Sequence, residues 1–224
     1  MKPIDRREFL SHAGATVMFA ATAGTHSFAG PAGPKRRLKK AVNLGMVKVE
    51  GTVLDRFKLL KELGFDGVEL DRPGGPPVDE ILKARDATGM AIANIIDSVH
   101  WRDTLSDPNP EVRLRGLNGL RAALRDAKVF GAPTVLLVPA VVKKEVSYSD
   151  AWTRSPVEIR KAIPLAEELG VKIAIENVGN YFLMSPLEAA RFVDEFHSPA
   201  VMWHFDIGNV VAWGWPEHWI RALG

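Results

Sequence analysis

Ile173-Ala174-Ile175-Glu176-Asn177 and His204-Phe205-Asp206-Ile207-Gly208-Asn209 decide how this chain reads. Each is a short apolar, strand-like run that ends on a carboxylate and leads through a small polar turn into a helix-like stretch. Acidic groups at the C-terminal ends of successive parallel strands converge on one face of an α/β barrel, where such barrels place their chemistry. Two converging carboxylates need a cation between them, or they repel and one takes up a proton. Glu176 and Asp206 therefore point to a metal site.

Outward from these two runs, the chain from Lys39 onward alternates strand-like and helix-like segments. Strands are expected over 41–46, 65–70, 90–99, 134–138, 171–176 and 200–206. Apolar residues at helical spacing predict helices over 53–63, 78–88, 111–130, 155–169, 186–196 and 216–223. Gly64, Gly89, Gly131 and Gly170 stand where helices should stop, because glycine tolerates the positive φ of a helix end. Pro156 is expected near the first turn of its helix, and Ser185 with Glu188 reads as a capping box. Unbroken β-α alternation implies parallel strands joined by right-handed crossovers. No Gly-x-Gly-x-x-Gly follows the first strand, which removes support for a dinucleotide-binding sheet. Polar residues at the ends of the third, fifth and sixth strands favour an α/β architecture of the (β/α)8 TIM barrel type, of which about six β-α units are present.

Composition narrows the function classes. The chain has 224 residues, 46% hydrophobic and 25% charged, with a formal net charge of +2. That balance gives no basic field of the kind that gathers nucleic acid, so no nucleic-acid partner is expected. Cysteine is absent, which excludes thiolate metal sites and cysteine nucleophiles. Asp5-Arg6-Arg7-Glu8-Phe9-Leu10 has the twin-arginine export pattern, followed by an alanine-rich apolar stretch and Ser27-Phe28-Ala29. Residues 1–29 are therefore expected to be an export leader and 30–38 a linker, with the barrel over 39–224. The leader's apolar run is too short for a permanent membrane anchor. The expected location is periplasmic or extracellular.

The phrases Gly64-Phe65-Asp66-Gly67-Val68-Glu69-Leu70, Ile175-Glu176-Asn177 and Phe205-Asp206-Ile207-Gly208-Asn209, in this order of elements, resemble the xylose-isomerase-like barrel superfamily. That group comprises sugar isomerases and epimerases together with barrel-type apurinic endonucleases. The resemblance implies a divalent metal, Mn²⁺, Mg²⁺ or Co²⁺ with Zn²⁺ as an alternative, held by Glu176 and Asp206 and by a His and a Glu from two further strands that have no counterpart here. It also implies that Glu176 is catalytic, moving a proton at the sugar carbon beside a carbonyl that the metal polarises, through an enediolate. The substrate implied is a small sugar or polyol. Without the last two ligands the chain is expected to be a truncated piece of a longer product and a poor catalyst alone.

Around that pair, His100 and Trp101 at the end of the third strand read either as a substrate contact or as a loop histidine and its neighbour. Glu69 ends the second strand and reads as a substrate contact or a bonded structural carboxylate. Asn177 is a candidate second-layer or substrate group. Asn209 stands where several relatives of this type carry a histidine; its amide can bond a hydroxyl but cannot exchange protons at neutral pH. Trp213 and Trp215 suit either sugar stacking or packing, including packing between copies in a homo-oligomer. Two other functions fit the same residues: a non-catalytic carbohydrate-binding barrel, and metal-assisted phosphodiester hydrolysis.

Overall fold

A computed structural model describes residues 38–224, so the expected leader over 1–29 and nearly all of the linker lie outside the described residues. Six strands follow one another in the chain: β1 (Ala41–Asn43), β2 (Gly67–Arg72), β3 (Ala91–Asp97), β4 (Thr134–Leu137), β5 (Lys172–Glu176) and β6 (Val201–His204). Between and after them come α1 (Val53–Glu62), α2 (Val78–Thr88), α3 (Pro110–Phe130), α4 (Tyr148–Arg160), α5 (Ile163–Leu169), α6 (Pro186–Asp194), α7 (Ile207–Val210) and α8 (Pro216–Leu223). All neighbouring strands pair in parallel, and their order in the sheet is their order in the chain. A doubly wound sheet reverses its strand order at a switch point; this sheet never does, and it has the connectivity of a TIM barrel.

Alternation along the strands sorts side chains onto two faces. Val135, Ile173 and Val201 are in register, as are Leu137 with Ile175 and Ile175 with Trp203, and they pack into the core shared with the helices. The other face carries the row Leu136, Ala174 and Met202, which lies outside that core. Glu176 falls on this inner face, two residues beyond Ala174, and sits opposite His204. Among the described residues, no helix is long and apolar enough to cross a membrane.

Two expected elements differ in their bounds for identifiable reasons. The helix expected from 155 begins earlier, at Tyr148, because Ser147 and Asp150 form a reciprocal capping box there. Pro156 consequently lies inside α4 rather than near its start. Ser155 caps nothing; its buried hydroxyl donates to the Pro139 carbonyl at 2.6 Å. The expected single helix is also broken, since α4 ends at Arg160 and Pro164 opens α5. The first strand stops at Asn43, whose side chain accepts from the Gly45 N–H at 2.6 Å and turns residues 44–46 into a 3₁₀ helix.

Helix α3 lies so close to the loop after β3 that a Cβ on Gly116 would stand 2.1 Å from the Asp103 carbonyl oxygen. Alanine gains about 1 kcal/mol over glycine in a helix interior. That gain is smaller than the cost of pushing back a buried main-chain segment, about 2–3 kcal/mol for an overpacked site. Gly116→Ala is therefore expected to lower the midpoint of thermal unfolding by a few degrees. An unchanged or raised midpoint in a calorimetric scan would contradict so close an approach.

Candidate active site

Glu176 is the last residue of β5, half-buried on the inner face. Its carboxylate accepts no hydrogen bond and has no ion-pair partner among the described residues. Burial, and then the negative charges of Asp206 and Glu69, push its carboxyl up to about 7. Such a group is short of a cation, because nothing nearby offsets the charge it carries when ionised.

Asp206 follows β6 and starts α7. Its Oδ1 accepts the Asn209 main-chain N–H at 2.8 Å, so the helix-cap role is real. The other carboxylate oxygen accepts no hydrogen bond among the described residues. Capping with one oxygen therefore leaves the second available.

Glu69 reaches the same group of charges from β2. A register shift between Val68 and Glu69 sets it opposite Asn94 of β3. Asn94 donates weakly to Glu69 Oε1 at 3.5 Å, and Thr134 donates to Asn94 Oδ1 at 2.7 Å. On the β1 side, Asn43 donates to Asp71 Oδ2 at 3.1 Å. Asn43, Asp71, Asn94 and Thr134 thus extend a polar lining that the sequence reading did not single out. Their signal was the same two-residue alternation that placed Glu176, partly concealed by the register shift.

The other candidates are distributed less evenly. His100 is buried, and its Nδ1 accepts the Val138 main-chain N–H at 3.1 Å. That bond holds the ring neutral, and burial lowers its pKa to about 4. Trp101 meets His100 edge-on with ring centroids 5.9 Å apart and is 49% exposed. Neither residue bonds to the carboxylate group, so the structure gathers Glu69, Glu176 and Asp206 and sets His100 and Trp101 on a neighbouring loop.

Asn177, read as a second-layer or substrate group, is only 1% exposed, and its amide is bound to the main chain of Asp206. Asn209 is half-buried and donates from Nδ2 to the Asn177 carbonyl at 2.9 Å. His204 is half-buried and unbonded among the described residues. Trp219 packs with Trp203 and stacks on Phe205, whereas Trp215 is largely exposed.

A divalent metal is tested against these residues by their donors. Two carboxylates from adjacent strand ends, one unpaired and one with a free oxygen, are hard oxygen ligands without a counter-cation, and they fit part of a shell for such an ion. No set of three or more ligating side chains is assembled among the described residues.

Comparison with known proteins agrees with the strand order. Residues 57–224 match the family model described as xylose isomerase-like TIM barrel. The L-ribulose-5-phosphate 3-epimerase of Escherichia coli O1:K1 is 26% identical over 178 residues, which cover 71% of this chain and 60% of that protein. The chain thus spans about 60% of the length of the curated relatives it matches. A D-tagatose 3-epimerase-like protein superposes with a TM-score of 0.70 at 20% identity, covering 82% of this chain and 71% of the other. The family 2 AP endonuclease of Brucella melitensis superposes with a TM-score of 0.65 at 21% identity, over 75% of this chain and 68% of that one. At such identities the two structures speak for the fold alone. The match to the family model covers most of the chain, its strand order is that of the barrel, and the chain belongs to the xylose isomerase-like TIM barrel family.

Proposed function

We propose that this chain carries the proton-transfer half of a divalent-metal-dependent sugar epimerase or isomerase. The observation that carries the reading is the Glu176 carboxylate, half-buried, unpaired and facing the charges of Asp206 and Glu69. Glu176 and Asp206 would hold the ion, which when bound supplies Lewis-acid polarisation of a substrate carbonyl. The Glu176 carboxylate, free of protein partners among the described residues, is the group placed to take up or return a hydrogen on the substrate carbon beside that carbonyl. Glu69, steadied by Asn94 and Thr134, offers acceptor oxygens to sugar hydroxyls from the opposite side of the lining. The similarity to an L-ribulose-5-phosphate 3-epimerase supports a ketose as the substrate class. The twin-arginine pattern at Arg6 and Arg7 supports an exported protein acting on unphosphorylated sugars.

The test is deuterium incorporation. Protein with Mn²⁺ and a panel of pentuloses and hexuloses in D₂O should exchange the hydrogen beside the carbonyl, as read by proton NMR. Chelation and Glu176→Gln should each abolish the exchange. Sugar binding that persists after both treatments, with no exchange at any point, would replace the enzyme with a carbohydrate-binding barrel.

A further inference from the structure

We propose that Asn177 and Asn209 are positioning residues, forming a hydrogen-bonded clamp that fixes the Glu176 and Asp206 carboxylates relative to each other for a divalent cation. This rests on the metal reading above. The parallel ladder between β5 and β6 ends at the pair Glu176 and His204. Asp206 lies two residues beyond it, where no strand pairing holds the chain.

Side chains do so instead. Asn177 Nδ2 donates to the Asp206 carbonyl at 2.7 Å, and the Asp206 N–H donates to Asn177 Oδ1 at 2.9 Å. Asn209 Nδ2 donates to the Asn177 carbonyl at 2.9 Å, and the Asn209 N–H donates to Asp206 Oδ1 at 2.8 Å. These four bonds link three residues into closed loops, so the residue after Glu176 and the main chain of Asp206 share one base.

Such a base has work to do. Two carboxylates at adjacent strand ends repel when no cation lies between them, and a free segment after β6 would relieve that repulsion by swinging away. Asn177 is buried, where amide hydrogen bonds are stronger than in water, so the clamp resists the movement. Asparagine is suited to this task because one amide both donates and accepts; aspartate would lose the donor and add a further negative charge. One of the two Nδ2 N–H groups of Asn209 is engaged inside the clamp, which leaves the other N–H and the acceptor Oδ1 to meet a ligand.

The experiment titrates Mn²⁺ into the full chain by electron paramagnetic resonance and follows amide hydrogen exchange at Asp206. Asn209→Ala removes one side-chain bond from a half-buried position and keeps its own main-chain N–H on Asp206. It is expected to weaken Mn²⁺ binding by about 10-fold, the scale set by loss of an outer-shell partner, and to speed exchange of the Asp206 amide while unfolding stays cooperative. Asn177→Ser is expected to do more; should it not fold, Asn209→Ala decides alone. Mn²⁺ affinity within about two-fold of wild type in Asn209→Ala overturns the clamp. A wild-type chain that binds no Mn²⁺, or a Glu176→Gln variant that binds it as well as wild type, overturns the metal reading and the clamp's purpose with it. The two failures are therefore distinguishable.

Discussion

Glu176→Gln should weaken Mn²⁺ binding by about 100-fold or more, because loss of a mere outer-shell partner already costs roughly 10–100-fold. The same substitution should make the metal-free protein more stable above neutral pH. The sign follows from the raised pKa. An unfolded glutamate loses its proton near 4.5, whereas the folded Glu176 keeps it to about 7. Between those values the folded state binds the extra proton, so stability falls as pH rises through the interval and stays lower above it. Glutamine keeps the shape, carries no charge and removes that dependence. The gain is moderate, since water reaches part of the side chain and screens the repulsion from Asp206 and Glu69. A gain in stability joined to a loss of ligand affinity is the behaviour of a residue kept for function. Paired thermal scans at pH 5 and pH 8, with and without Mn²⁺, read both effects. A variant that binds Mn²⁺ normally, or loses stability at pH 8, would dissociate Glu176 from any cation.

The sequence disclosed those features that depend on local order. Ile173-Ala174-Ile175-Glu176 reads as a strand ending on a carboxylate, and β5 ends there. Gly89, Gly131 and Gly170 read as helix stops, and each adopts the left-handed conformation at its helix end. Features set by a distant partner were not legible. Gly116 and Gly119 stand inside a long helix, and their reason is the loop after β3, where Asp103 and Val99 leave no room for a Cβ. The polar lining was hidden because the register shift at Val68 and Glu69 moves Asn94 into the row of Glu69. Asn177 was visible as a residue beside Glu176, but the direction of its amide follows from where β6 ends, and no spacing encodes that. Ser185 with Glu188 shows a smaller version of the same limit. The serine accepts the Glu188 N–H as anticipated, while the Glu188 carboxylate turns to the serine hydroxyl instead of the main chain.

Beneath the loop that carries His100 lies a second unpaired carboxylate, and Asp97→Asn should raise stability by about 4 kcal/mol at pH 8 and leave it nearly unchanged at pH 4. Asp97 is 1% exposed and accepts only the Val99 N–H, at 3.2 Å. Burial pushes its pKa from 3.8 up to about 7, and the nearby charge of Asp103 adds to the rise. The folded state therefore holds a proton that the unfolded chain has released, and stability declines as pH climbs between those two values. His100, three residues on, acts in the opposite sense. Its folded pKa is lowered to about 4 against an ordinary 6.5, so the unfolded chain binds the extra proton and stability rises with pH across that range. From pH 4 to 6.5 the two slopes, each about 1.4 kcal/mol per pH unit, nearly cancel. Asparagine preserves the acceptor for Val99 and abolishes one of the two opposing slopes. The variant should therefore gain stability steadily on going from pH 4 to 6.5, relative to a wild type in which this pair contributes almost nothing. Urea unfolding at half-unit pH intervals measures the difference directly. Parallel curves for wild type and Asp97→Asn would mean that Asp97 is ionised in the folded state throughout, with its charge met by a partner this structure does not provide.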